Sequence, residues 1–245
     1  MKKVIISTSF THSIFNFRLN IINELIDRGY IVHVLAPNIS AEDKQKLENL
    51  NVVSWSVNVD GRSMSVFALA SYFCQLLILV FRIQPDFFIS YSMKANFVGS
   101  LVCKLLNKRN ISLITGLGKL YIGKPPKSFL RRKIHSIIQR VVGASIGFSD
   151  LLVFQNKSDI DFFTKRGWIK SFSKSYLMPG SGVDTNKFFF REITEFHRVL
   201  LIGRLIEAKG IREFCRAVAL FDNAKFQFQI LGYSNYFISI GNLIV

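Results

Sequence analysis

A chain of 245 residues carries 32 lysines and arginines against 16 aspartates and glutamates, a formal net charge of +16. With 49% hydrophobic residues, 13% aromatic residues and 5 prolines, it has enough apolar side chain for a sizeable core, which excludes a disordered or collagen-like chain. The charge calls for an anionic partner, and nucleic acid, an anionic lipid surface and phosphorylated small molecules all satisfy it.

The opening "MKKVIISTSF" has two lysines and a short apolar run, too little hydrophobic length for a signal peptide, so residues 3 to 7 read as a first strand. The loop after it, "STSFTHSIFNFRL", lacks the glycine pattern of a dehydrogenase-type dinucleotide site. Ser7, Ser9, Thr11 and Ser13 there either present hydroxyls and amides to an anion at a helix N-terminus or leave Ser13 as an ordinary cap. Phe17, Ile21, Ile22, Leu25 and Ile26 make the stripe of a first helix ended by Gly29. Further strand-like runs fall at residues 31 to 35, 52 to 57, 86 to 90, 111 to 115, 151 to 154 and 176 to 178. The apolar stretch "VFALASYFCQLLILVF", residues 66 to 81, is short of the roughly 20 residues that span a bilayer and reads as a core-facing or interfacial helix. A helix over 95 to 106 turns Val98, Leu101, Val102, Leu105 and Leu106 inward. One over 129 to 142 interleaves Ile134, Ile137, Ile138 and Val141 with Arg131, Arg132, Lys133 and Arg140, as a membrane contact or a solvated face. The odd, widely spaced cysteines Cys74, Cys103 and Cys215 sit in apolar helical contexts and read as core thiols.

This alternation of strand and helix predicts an α/β fold, a parallel sheet with helices on both faces. After residue 178 the turn-rich "PGSGVDTNKF" leads to a fresh strand, helix and strand at 199 to 202, 210 to 221 and 226 to 231. The boundary is placed near 190, giving domains 1 to 190 and 191 to 245. The second supplies one βαβ crossover, little to bury by itself.

The densest signal is "LLIGRLIEAKGIREF", residues 200 to 214. Val199 to Ile202 reads as a parallel strand buried on both faces. Ile211, Phe214, Cys215 and Val218 then share one helix face. Gly203 to Gly210 is the strand-to-helix turn, with Arg204 and Lys209 at the carboxyl end of the sheet, where ligands of such folds bind. A diphosphate would gain charge-assisted bonds of about 1.5 to 3 kcal/mol each there before desolvation; solvated loop charges are the competing reading. None of His12, His33, His135 and His197 has metal-ligand spacing. His33 reads as a core residue, and His12, at the mouth of the first loop, is the one worth testing.

"LIGRLIEAKGIREF" resembles the donor-diphosphate motif of the retaining family 4 glycosyltransferases, which have the two-domain GT-B fold. "YLMPGSGVDTNKF" resembles the interdomain segment of that family. "FNFRLNIINELIDRGYIVHVLAP", "ISYSMKANFVGSLVCKLLN", "LITGLGKLY" and "LLVFQNKSDIDFF" are similar to a narrower group that adds N-acetylhexosamines or related sugars to undecaprenyl-diphosphate-linked glycans. The resemblance implies that Arg204 and Lys209 hold the donor's phosphates and that Gly203 and Gly210 admit its backbone approach. Gly182 and Asp184 would shape the interdomain cleft, unless Asp184 only forms a turn. Arg18, Lys94, Asn96, Gly116 and Gly118 would line the acceptor side, with Lys94 on the lipid diphosphate.

By the same resemblance the partners are a UDP-sugar donor, a lipid-linked saccharide acceptor, an anionic membrane surface at the cytoplasmic face and other glycan-assembly enzymes. No metal, no cofactor and no nucleic acid are implied. The setting would be O-antigen, capsule or other surface polysaccharide synthesis. Two departures stand out. "TGLG" carries no histidine, as in the narrower group. "YFISIGNLIV" does not resemble the family where its second domain continues to a pair of donor-gripping glutamates, so a truncated donor domain is expected. The competing classes are a nucleic-acid-binding protein, supported by charge and aromatics but without a helix-turn-helix, RRM or KH signature, and a non-enzymatic scaffold of the same fold.

Overall fold

The computed structural model describes residues 1–58, 66–121, 126–169, 174–192, 198–203, 205–206, 209–221 and 226–232. The chain divides into two compact units, Met1–Val183 and Asp184–Val245, so the break falls somewhat before the expected position near 190.

In the first unit seven parallel strands lie in the order β3-β2-β1-β4-β5-β6-β7. They are β1 Lys3–Thr8, β2 Ile31–Ala36, β3 Val53–Ser56, β4 Phe87–Tyr91, β5 Arg109–Ile114, β6 Leu151–Phe154 and β7 Ser175–Leu177. Central strands covered on both faces read as unbroken apolar runs, and Val4, Ile5 and Ile6 of β1 are all buried. Val4 and Ile6 point to a core with Ile22, Val32, Val34 and Leu47. Ile5 points the other way, to Leu35, Tyr72, Leu76, Val80 and Phe88.

The helices are α1 His12–Phe17, α2 Leu19–Asp27, α3 Ala41–Glu48, α4 Val66–Ile83, α5 Met93–Leu105, α6 Gly118–Tyr121, α7 Phe129–Ile146 and α8 Lys157–Lys165. Caps fix two starts: Ser40 Oγ accepts from the Asp43 amide at 3.0 Å and Asn156 Oδ1 from the Asp159 amide at 2.8 Å. Four sequence readings are corrected. The first helix is two, bent at Arg18 (φ −126°), where the side chain turns into the protein. Leu105 of α5 is exposed rather than inward. Cys74 is exposed, because α4 buries Tyr72, Leu76 and Val80 on the opposite side; Cys103 is buried. Finally, α7 runs past 142 and buries Val142, Gly143, Ser145 and Ile146, leaving Ile134, Ile137, Ile138 and Val141 exposed. Among the described residues α4 is the one helix long and apolar enough to cross a membrane, yet it packs on the sheet through Tyr72, Leu76 and Val80.

In the second unit β8 Arg198–Ile202 and β9 Gln227–Leu231 pair in parallel, joined through α9 Ile211–Val218. Leu205, Ile211 and Ile230 form a small core. Val199, Leu200 and Ile202 are exposed, so β8 is not buried on both faces: among the described residues α9 covers one side only. The tail 236 to 245 and His197 lie outside the described residues.

Candidate functional site

From β1 the chain winds outward to β2 and β3, and from β4 outward to β5, β6 and β7. The loops leaving β1 and β4 therefore part in opposite directions, opening a crevice at the carboxyl ends of these two neighbours. Its floor is hydroxyl-rich because β1 ends in Ser7 and Thr8 and is followed by Ser9, all buried. Ser92, just past β4, donates to Ser9 Oγ at 2.8 Å. Ser92 has φ 85°, a left-handed conformation that costs a side-chain-bearing residue about 1 to 3 kcal/mol and gathers at functional sites. Ser13 is no cap: the N-cap of α1 is Thr11, and the Ser13 hydroxyl donates to the Phe10 carbonyl. The Thr11 hydroxyl is taken by the Pro37 carbonyl. His12 is exposed on α1.

Arg18 is the buried cation beside Tyr91 in this crevice. It is 3% exposed, its guanidinium lies 4.5 Å from the Tyr91 ring centroid, and Nη1 donates to Ser181 Oγ at 2.9 Å and to the Phe17 carbonyl at 3.2 Å. Its Nε is buried with no partner among the described residues. Burial lowers the Arg18 pKa, with Tyr91 acting in opposition. Burial likewise raises the Tyr91 pKa against the Ser13 and Thr8 hydroxyls and the Arg18 charge. Gln155 Nε2 also donates to Ser181, at 3.2 Å, so the segment just before Gly182 is tied to the crevice. Gly182 is exposed. Tyr91, Ser92, Gln155 and Ser181 were not singled out in the sequence.

Lys94 is the second residue of α5 and half-buried. Asn96, fully buried, donates to the Leu113 carbonyl at 2.9 Å, clamping α5 to the end of β5. Its Oδ1 has no partner among the described residues. Gly116 (φ 130°) and Gly118 (φ 66°) follow β5. A side chain at Gly116 would meet nothing within 4 Å, and at Gly118 only Met93 Cγ at 3.6 Å; the need for glycine is conformational. The first unit thus gathers Arg18, Lys94, Asn96 and Gly118 about the switch point through Tyr91, Ser92 and Met93.

In the second unit Asp184 forms an Asx turn, its Oδ1 accepting from the amides of Asn186 at 2.9 Å and Lys187 at 3.4 Å. Gly203 follows β8, its amide donating to the Leu231 carbonyl at 3.0 Å. Gly210 caps α9 in the left-handed conformation, φ 75°. Lys209 is exposed between them, with its Cγ 4.0 Å from where a Cβ on Gly203 would stand. Gly203, Lys209 and Gly210 therefore share one strand-to-helix turn; Arg204 lies outside the described residues. Among the described residues no group of three or more histidines, cysteines and carboxylates could hold a metal.

The family model described as "Glycosyl transferase 4-like" matches residues 5–156. A Campylobacter jejuni enzyme, N,N'-diacetylbacillosaminyl-diphospho-undecaprenol alpha-1,3-N-acetylgalactosaminyltransferase, is 27% identical over 230 residues, 87% of this chain and 59% of that protein. The chain thus spans less than two thirds of that relative's length. Anabaena HepE in complex with UDP is similar in structure, at TM-score 0.66 and 13% identity over 96% of this chain and 62% of the other. Acinetobacter baumannii MurG follows at TM-score 0.56 and 12% identity over 96% and 68%. These structural likenesses concern the fold, which is of the GT-B type.

Proposed function

We propose, from the premise that this chain belongs to the glycosyl transferase 4-like family, that it serves the transfer of a sugar from a UDP-sugar to a polyprenyl-diphosphate-linked saccharide. An N-acetylhexosamine or a close relative is the sugar proposed. The observation that carries the reading is the 27% identity, running across 87% of this chain, to an enzyme whose own name specifies an undecaprenol-diphosphate acceptor and N-acetylgalactosaminyl transfer.

The roles follow from charge. In the second unit Lys209 and Arg204 take the donor diphosphate, anchoring the nucleotide and stabilising it as it leaves. Gly203 and Gly210 let the phosphates approach the backbone, and the amides opening α9 add their partial charge. In the first unit Arg18, Lys94, Asn96 and the loop of Gly116 and Gly118 receive the acceptor. Gly182 and Asp184 flank the break between the units Met1–Val183 and Asp184–Val245, the acceptor and donor sides of this reading. A lipid-linked acceptor requires contact with the cytoplasmic membrane face, and a charge of +16 suits an anionic leaflet at about 1 kcal/mol per basic residue near it.

The test incubates this chain with tritiated UDP-N-acetylhexosamine and membranes carrying polyprenyl-diphosphate-linked saccharide. One arm uses the chain alone, and another adds a separately expressed polypeptide matching the portion of the Campylobacter relative that the chain does not span. Label entering the lipid extract, and lost in Arg204→Gln/Lys209→Gln, is the expected result. No lipid-borne label in either arm overturns the assignment.

A further inference from the structure

We propose that α7 is a lipid-docking helix and that the cleft on its flank receives the phosphate of an anionic membrane lipid. This names the surface for the membrane contact in the reading above and rests on that reading. The helix has apolar residues on two sides. Val142 and Ile146 pack inward, whereas Leu130, Ile134, Ile137, Ile138 and Val141 are exposed, Ile137 at 59%. At 100° per residue these five fall within about a third of the circumference, a continuous apolar stripe of the kind that marks an interaction surface.

The chemistry of the partner follows from what surrounds the stripe. α7 contains Arg131, Arg132, Lys133 and Arg140 and no aspartate or glutamate, the make-up of a helix lying in an anionic interface. Nucleic acid fits less well, because bases stack on aromatic rings and this stripe is aliphatic. The cleft adjoins it: Ser136, Gln139, Arg140 and Ala144 of α7 face Arg166 and Trp168 beyond α8, around about 400 Å3. Gln139 Nε2 is committed to the Leu120 carbonyl at 2.6 Å. Arg166 is held over the Phe162 ring at 3.7 Å, and Trp168 is buried, so that wall is pre-formed. Neither arginine is in an ion pair among the described residues. Two guanidinium groups across a cleft suit a phosphate, and a ligand joining phosphate to hydrocarbon satisfies cleft and stripe together.

Flotation of the full chain with phosphatidylglycerol/phosphatidylcholine vesicles, against phosphatidylcholine alone, tests this. Arg140→Gln/Arg166→Gln is expected to weaken partitioning on the order of thirtyfold, and Ile134→Ser/Ile137→Ser/Val141→Ser to abolish it. Lys2→Gln/Lys104→Gln, removing the same charge elsewhere, is expected to have a much smaller effect. Circular dichroism checks that each variant is folded, which the exposure of these side chains favours. If the arginine pair costs no more than the lysine pair, or the stripe variant floats normally, the docking surface is wrong while membrane association stands. Wild type that fails to float overturns both. Competition by inorganic phosphate at the concentration of lipid phosphate would mark a free-anion site and also refute the proposal.

Discussion

Replacing Arg18 by methionine separates a structural arginine from one that awaits an anion. The substitution removes a charged hydrogen bond to Ser181, worth about 1.5 to 3 kcal/mol, and a cation–π contact with Tyr91, worth about 1 to 2 kcal/mol when desolvated. It also relieves the burial of a guanidinium that has no carboxylate partner among the described residues, a cost of several kcal/mol. Methionine keeps the length and fills the space, and Ser181 retains Gln155. The terms nearly cancel, so unfolding should move by no more than about 1.5 kcal/mol, or about 3 to 6 °C in Tm for a unit of this size. Binding should behave otherwise. Loss of one charged contact lowers affinity for a short-chain polyprenyl diphosphate by about tenfold to a hundredfold. The assay is thermal unfolding with and without that diphosphate, whose binding raises Tm by mass action. A ligand-induced rise in wild type that vanishes in Arg18→Met is expected. Destabilisation beyond about 3 kcal/mol with an unchanged ligand response would refute the reasoning and make Arg18 a packing residue.

His33 accepts a hydrogen bond from Trp55 Nε1 at 3.2 Å, and burial, then the Lys3 charge, lowers its pKa below the usual 6.5. The unfolded chain therefore takes up this proton first: stability is full above about pH 6.5 and falls as pH drops through the folded pKa. Tm measured between pH 8 and 5 should decline toward acid, and His33→Gln should flatten that decline. Gly143→Ala places a methyl group inside the space of the Trp168 indole, overpacking that costs about 1 to 3 kcal/mol, read as a lower urea midpoint. Burial raises the Cys103 thiol to about 12 while Cys74 is exposed, so iodoacetamide at pH 8 should label Cys74 in the native chain and Cys103 only after unfolding.

The first unit was legible where a strand is covered on both faces. The expected strand at 151 to 154 matches β6 at both ends, and that at 31 to 35 extends only to Ala36, because a short apolar run bounded by turn residues is too short for a helix and suits a strand buried on both faces. The crevice was half legible. The sequence points to Arg18, Lys94, Asn96, Gly116 and Gly118, yet Arg18 is held by Ser181, 163 residues away, and no local pattern encodes that contact. Ser92 gave no signal either, since its left-handed backbone is a conformation that sequence announces with glycine or asparagine.

The same limit explains α7. Periodicity fixes the phase of an apolar stripe but not what covers it. Ile134, Ile137, Ile138 and Val141 recur at helical spacing, which leaves a membrane contact and a solvated face both open, while the face that packs is built partly from Gly143 and Ser145, which carry little hydropathy. Gly143 is chosen by the Trp168 ring against it: close approach, not apolar area, sets the inner side. Apolar bulk is thereby left over for the outer side, beside Arg131, Arg132, Lys133 and Arg140. β8 makes the converse case, with apolar residues at Val199, Leu200 and Ile202 that the described part of its unit does not cover. In both places the sequence states how much apolar surface there is, and the fold alone states where it is unsatisfied.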